Sequence, residues 1–242
     1  MLRAADLVYN RDAQRARAAN SVDEYSETAR RIQRIARKLI LQANRANPNM
    51  PLTLAITVEN EALPVAYCLP GGKIIASNAL VDRMRLTDDE LAAVLAHAIG
   101  HAIAGHDADE AALRLARKPG GISADPNRTV LNLADILAEL VHNQPHTADA
   151  ERVADSISLD LLLRARIDPR AAPDAWLKVA RAGGAVPPAF LVLNPTWPSR
   201  VDELSASIPA ATAAYQAAIA PPAASTKPAT KESKKKKTPP AS

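Results

Sequence analysis

Cysteine is nearly absent from this chain of 242 residues; the one present is Cys68. A lone cysteine excludes an intrachain disulfide framework and any cysteine-based zinc site. Aromatic residues are scarce as well, 3% against 48% hydrophobic overall. The interior must therefore be built from Ala, Leu, Val and Ile, which suits closely packed helices. Long apolar runs are missing: the longest, around 91–100, is interrupted by His97 and is too short to span a membrane. Residues 1–20 carry charges throughout and lack an apolar core segment, so no signal peptide is expected in the chain, and an exported protein would be seen here in mature or trimmed form. Excess charge is missing from the body of the chain. Residues 221–242 hold six lysines against one glutamate, a surplus of +5 that leaves the preceding 220 residues at −1 out of a total of +4. The basicity belongs to a tail.

What is present is helical patterning around one small β-rich stretch. Residues 1–20 read as an irregular or short helical lead-in. Over 22–46, Ile32, Ile35, Leu39 and Ala43 form one apolar stripe. Arg30, Arg31, Arg34, Arg37 and Lys38 lie mostly outside it; beside a neutral body they read as a solvated face, not a nucleic-acid surface. Asn47-Pro48 stops that helix. Alternation over 52–58 predicts a strand, 65–69 a second and 73–76 a third, with Pro70-Gly71-Gly72 turning the chain between the last two. Helices are expected at 78–84, 88–117, 128–143, 147–165, 171–182, 200–206 and 210–219, with 118–127 a loop. There is no βαβ alternation, so the fold class is α+β, predominantly helical, with a small three-stranded sheet. The expected domain spans 21–220, and 221–242 lacks apolar periodicity and reads as a disordered Lys/Pro/Ala-rich tail.

The chemistry is concentrated at His97 and His101. Four residues apart in a helical run, they share one face and can point at a single metal ion. Thr87 and Glu90 open the run as a capping box. A zinc-protease H-E-x-x-H motif has a glutamate after the first histidine; this chain has Ala98 there. Two histidines alone do not make a site, and a third ligand is needed. Glu151 and Asp155 are again four apart, near the start of the helix at 147–165. Glu151 reads either as a surface acid paired with Arg152 or a lysine, or as a metal ligand from a neighbouring helix; a second carboxylate can hold a ligand histidine through its other nitrogen. His142 and His146 are separated by Pro145, which breaks a shared helical face, so both read as loop residues. His106 reads as a cap on the end of the ligand helix.

Taken in order, four segments resemble the gluzincin zinc metalloproteases of peptidase family M48, of the HtpX and CAAX-prenyl-protease type. Residues 65–74 (VAYCLPGGKI) resemble N-A-F-x-x-P-G-G-x-I, and 86–101 (LTDDELAAVLAHAIGH) resemble L-x-x-x-E-L-A-x-V-L-A-H-E-I-G-H. Residues 151–155 (ERVAD) with 167–171 (IDPRA) resemble E-x-x-A-D and G-Y-D-P-x-A, and 190–200 (FLVLNPTWPSR) resemble F-L-S-T-H-P-x-x-x-x-R. The resemblance covers about 50–205 and implies His97, His101 and Glu151 as zinc ligands, with Asp155 behind them. It implies that Val65, Ala66 and Tyr67 lie on an edge strand that takes an extended protein or peptide. Arg200 corresponds to an arginine near the oxyanion. Ala98 replaces the glutamate that activates water, Asn194 stands where a histidine often approaches the metal, and Val65 stands where an asparagine usually contacts substrate.

The resemblance thus implies a zinc endopeptidase of unfolded or misfolded envelope proteins, in the bacterial periplasm or cell envelope. Its general base is missing, which leaves this chain inactive but zinc-binding. The segments around Ala98 are intact, so a single introduced Glu-to-Ala change is more economical than erosion. The rival is a natural pseudoprotease that binds extended peptides without cutting them. No nucleic acid is expected on the folded domain, whereas the tail offers lysines to an anionic surface. Removing residues 221–242 is expected to leave zinc content and melting temperature unchanged, while abolishing any salt-sensitive polyanion binding. A large drop in melting temperature on truncation would show instead that the tail packs on the domain.

Overall fold

The computed structural model describes residues 1–61, 64–143, 145–181 and 198–220. The tail, Asn194 and most of the 190–200 motif lie outside the described residues. Among these residues twelve elements follow in order: α1 (Leu2–Ala18), α2 (Glu27–Ala46), β1 (Ala55–Glu59), β2 (Ala66–Leu69), β3 (Lys73–Ser77), α3 (Ala79–Asp82), α4 (Asp88–Ala104), α5 (His106–Arg117), α6 (Pro126–Asn143), α7 (Ala148–Arg164), α8 (Ala171–Arg181) and α9 (Pro198–Ile219). The fold is the expected helix-rich α+β arrangement with one three-stranded sheet.

The strand order is β1-β3-β2. β3 is parallel to β1, with Ala55 beside Lys73, and antiparallel to β2, with Leu69 beside Lys73. The reversal between β2 and β3 uses Gly71 and Gly72 at φ +89° and +92°, a region open to glycine at little cost. Among the described residues β2 is therefore an outer strand. Strand faces alternate: Cys68 enters the larger apolar cluster, built on α2, α4, α7 and α8, while Leu69 enters a smaller one shared by α1, α5 and α6.

Four expectations change. Residues 1–20 form a full helix, α1, whose Ala4, Ala5, Val8, Ala13 and Ala16 are buried. Its small residues, too weakly apolar to show a stripe in sequence, pack closely on α6. The first strand begins at Ala55, three residues later than the pattern suggested. The long helix over 88–117 is broken at Gly105, which adopts φ +76° and caps α4. The two helices expected near 200–206 and 210–219 are one, α9, running through Pro209; burial of Leu204 and Ala211 on either side holds it together.

The helix ends follow local chemistry. Ser26 caps α2 by accepting a hydrogen bond from the Ala29 amide at 2.9 Å. Thr87 and Glu90 form the expected capping box at the start of α4, and Glu90 also pairs with Lys178 of α8 at 2.6 Å. Thr147 accepts from the Ala150 amide at 3.2 Å and starts α7.

α4 lies at the centre, in contact with α2, α5, α7, α8 and β2, most extensively with α7. The α4–α7 approach depends on Gly100. A Cβ at that position would meet the Ala154 carbonyl oxygen at 2.8 Å and its Cα at 3.2 Å. Replacing Gly100 by Ala gains about 1 kcal/mol of helix propensity, against about 1–3 kcal/mol for overpacking. The obstacle is backbone and cannot rotate away, so the penalty wins. Gly100→Ala is expected to lower the denaturant midpoint and to weaken metal binding, because α7 carries Glu151; a variant as stable as the parent would show that the crossing is not tight.

Candidate metal centre

The helical spacing does what the sequence suggests. His97 and His101 sit on one face of α4 with Nε2 atoms 3.0 Å apart, both buried. α7 brings in Glu151, fully buried, with its carboxylate 3.2 Å from His97 Nε2 and 3.5 Å from His101 Nε2. Donor atoms of these three residues lie within 4.8 Å of one another. Asp155, one turn further along α7, is 2.9 Å from His97 Nδ1, which turns Nε2 toward the cluster.

The donor set fits zinc. With Zn–N and Zn–O bonds of about 2.0–2.2 Å, ligand atoms of a tetrahedral centre lie roughly 3.3 Å apart, close to the three separations here. Both Glu151 oxygens are buried without a well-formed hydrogen bond, although Arg200 Nη1 approaches one at 2.8 Å. The arginine contact is an ion pair by distance and does not satisfy the carboxylate's lone pairs directionally. Burial pushes the Glu151 carboxyl upward, but His101, His97 and Arg200 outweigh that and hold it below the usual carboxylate range. Burial lowers His101 to about 3, so its ring is neutral, as a metal ligand must be. For His97, burial favours the neutral ring, yet Asp155 and Glu151 outweigh it and raise its pKa, so zinc, which needs the neutral ring, competes with protons there.

Arg200, from α9, is 1% exposed. Its Nε and Nη2 donate to the two oxygens of Asp155, each at 2.9 Å, and its guanidinium lies 4.3 Å from the Trp176 ring centre. The structure thus places Arg200 behind the ligands, bracing Asp155 and Glu151.

A cleft of about 40 Å³ opens beside the histidines. It is lined by Ala66, Tyr67 and Cys68 of β2, Ala98, and Leu140 and Val141 of α6. The cleft has room for a few waters, and the Ala98 methyl faces it from the position where a glutamate is expected. Val65 lies just before β2, its amide held by Ser77 Oγ at 2.9 Å. Asn194 falls outside the described residues.

Other site neighbours were not legible as such in the sequence. His142 is on α6, not in a loop; its Nε2 lies 3.1 Å from buried Asp12 of α1, and the Tyr67 hydroxyl donates to the same carboxylate at 2.6 Å. Burial and the Asp12 charge raise the Tyr67 phenol far above its ordinary range, so it stays protonated. His146 is a loop residue as expected, but its ring stacks on His101 at 3.8 Å and its Nε2 lies 3.0 Å from Asp107. His106 does not end the ligand helix; it opens α5, with Nδ1 2.8 Å from His101 Nδ1. Histidine count was the available signal: all five histidines of the chain lie in these networks.

Glu151→Ala is expected to remove most bound zinc, measured by elemental analysis after dialysis, because two imidazoles alone form an incomplete site. A fully loaded Glu151→Ala protein would remove Glu151 from the ligand set.

The family model described as Peptidase family M48 matches residues 26–208. Among curated relatives, "Mitochondrial metalloendopeptidase OMA1" of Arabidopsis thaliana is 30% identical over 176 residues, covering 68% of this chain and 34% of the relative. The protein of the same name from Schizosaccharomyces pombe is 27% identical over 197 residues, 77% of this chain and 55% of the relative. That from Saccharomyces cerevisiae is 27% identical over 172 residues, 64% and 46%. The chain therefore spans between about a third and just over half the length of these relatives. They also overturn the expected bacterial periplasm or envelope, since they are named as mitochondrial and come from a plant and two yeasts. The expected compartment rests on the resemblance alone, and the motifs that carry the resemblance lie in the helices and strand around the site, where nothing marks a compartment. The matched span contains both α4 histidines, Glu151, Asp155 and Arg200, on a fold that brings all five together, and the chain belongs to peptidase family M48.

Proposed function

We propose that this chain is a zinc metalloendopeptidase domain that acts on unfolded or misfolded protein segments, here inactivated by alanine at the general-base position while still holding zinc. The observation that carries this reading is the convergence of His97, His101 and Glu151 donor atoms within 4.8 Å, at a cleft bordered by the outer strand β2. Zinc held there would polarise a scissile carbonyl and acidify a water.

The chain's own residues supply the rest. Asp155 and Arg200 fix His97 and Glu151 in place. Tyr67, tied to Asp12 and His142, holds the edge strand along which an extended segment would add as a further strand. At about 40 Å³ the cleft is far below the roughly 300–1,000 Å³ of ordinary ligand pockets. A substrate segment would therefore lie along the β2 edge, with the cleft taking no more than a small group. With Ala98, no side chain at that position can take a proton from water and pass it to the leaving amine. The relatives' printed name, metalloendopeptidase, supports the same reaction class.

The second reading, a natural pseudoprotease that binds extended peptides without cleaving them, draws on Ala98 itself and on Asp107. Asp107 is the carboxylate among the residues that line the cleft, and it is already engaged by His146. Ala98→Glu separates the two readings. Restoring the base is expected to produce chelator-sensitive cleavage of casein, where the parent shows none, with a gain of at least about 10² in rate from general-base catalysis. A variant that holds zinc and cuts no protein in a broad panel would leave the peptide-binding reading standing.

A further inference from the structure

We infer that His106 is a positioning residue for the metal centre: it orients His101 as Asp155 orients His97. The inference rests on the zinc-site reading above.

The two ligand histidines need the same treatment. Each must present Nε2 to the centre, which requires that Nδ1 carry the proton and that an acceptor hold it. For His97 the acceptor is Asp155, 2.9 Å away. For His101 the group at hydrogen-bond distance from Nδ1 is His106 Nδ1, at 2.8 Å. That arrangement assigns tautomers on both rings: His101 donates from Nδ1, and His106 accepts there while keeping its own proton on Nε2. His106 is not itself a ligand, because it meets the nitrogen of His101 that is turned away from His97 and Glu151. His146 stacks on the His101 ring and restricts its tilt, so the imidazole is held both at its edge and on its face.

Gly105 makes this contact possible. In a continuous helix, residues five apart point about 140° away from each other, and the His106 ring would face away from His101. Gly105 adopts φ +76°, ends α4, and lets α5 start in a new direction with its first side chain folded back on the ligand. A Cβ at Gly105 would meet nothing closer than the Asp109 side chain at 3.7 Å. The glycine is therefore required by its backbone angle and not by space.

Zinc affinity of the full chain, Ala98 included, tests this by competition with a fluorescent chelator, with the melting temperature of each metal-free protein as the control for folding. His106→Leu is expected to weaken zinc binding about 10–100-fold. His106→Asn places an acceptor oxygen where Nδ1 was, and it is expected to retain affinity within a few-fold. Gly105→Ala should weaken zinc although it alters no ligand. Two-bond 1H–15N spectra of the zinc-loaded parent give a readout that needs no variant: His106 should show the Nε2–H tautomer and His101 a protonated Nδ1. Unchanged affinity in His106→Leu, equal loss in the Leu and Asn variants, or a His106 proton on Nδ1 would each overturn the assignment. A parent that binds no zinc would instead overturn the reading on which it rests.

Discussion

The close crossing of α4 and α7 is the constraint on which the rest depends. Gly100 has no side chain, so the backbone at Ala154 can approach to a distance that a Cβ would forbid. Glu151 and Asp155 flank Ala154 on α7 and so meet the histidines that flank Gly100 on α4. One glycine thus fixes the separation of two helices and with it the size of the metal centre. Because packed interiors transmit small displacements, other features of α4, from its capping box to the left-handed residue at its end, serve to keep this register.

Charge burial makes the crossing expensive to leave without a cation. Among the described residues, Glu151 and Asp155 are buried beside one buried arginine, Arg200, so with neutral imidazoles these groups carry one negative charge in excess. Breaking a buried pair by removing one partner typically costs about 3–5 kcal/mol. That cost accounts for how fully Arg200 is engaged: it binds Asp155 through two nitrogens, approaches Glu151, and lies on Trp176. A divalent metal on the other side of Glu151 would more than offset the one negative charge that Arg200 leaves.

The cleft lies where the two apolar clusters meet, with β2 contributing one face to each. Access to the metal is therefore coupled to how α1, α5 and α6 sit against the sheet. Tyr67, Asp12 and His142 form the polar tie across that seam, joining β2, α1 and α6. α1 lies before the span matched by the family model, which begins at residue 26, yet its buried Asp12 reaches the same edge strand that would receive substrate.

Within the two helices that carry the site, the sequence pattern was largely sufficient. Periodicity and capping residues located α4 and α7, and four-residue spacing put His97 with His101 and Glu151 with Asp155, because a helix places such pairs on one face whatever surrounds it. The pairing of the donors within each helix was legible for that reason, as was the Gly71-Gly72 turn; that Glu151 joins the two histidines was implied only by the family resemblance, and the fold brings the three together. Relations between elements were decided by tertiary packing. Nothing in spacing marks His106 as a neighbour of His101, since five residues on one helix point apart until Gly105 turns the chain. Nor could it place His146 on His101, Asp12 under Tyr67, or α1 in the core, where Ala-rich faces pack closely without a strong apolar stripe. Sequence set which donors share a helix face; the backbone angle at one glycine and the absent side chain of another decided which faces meet.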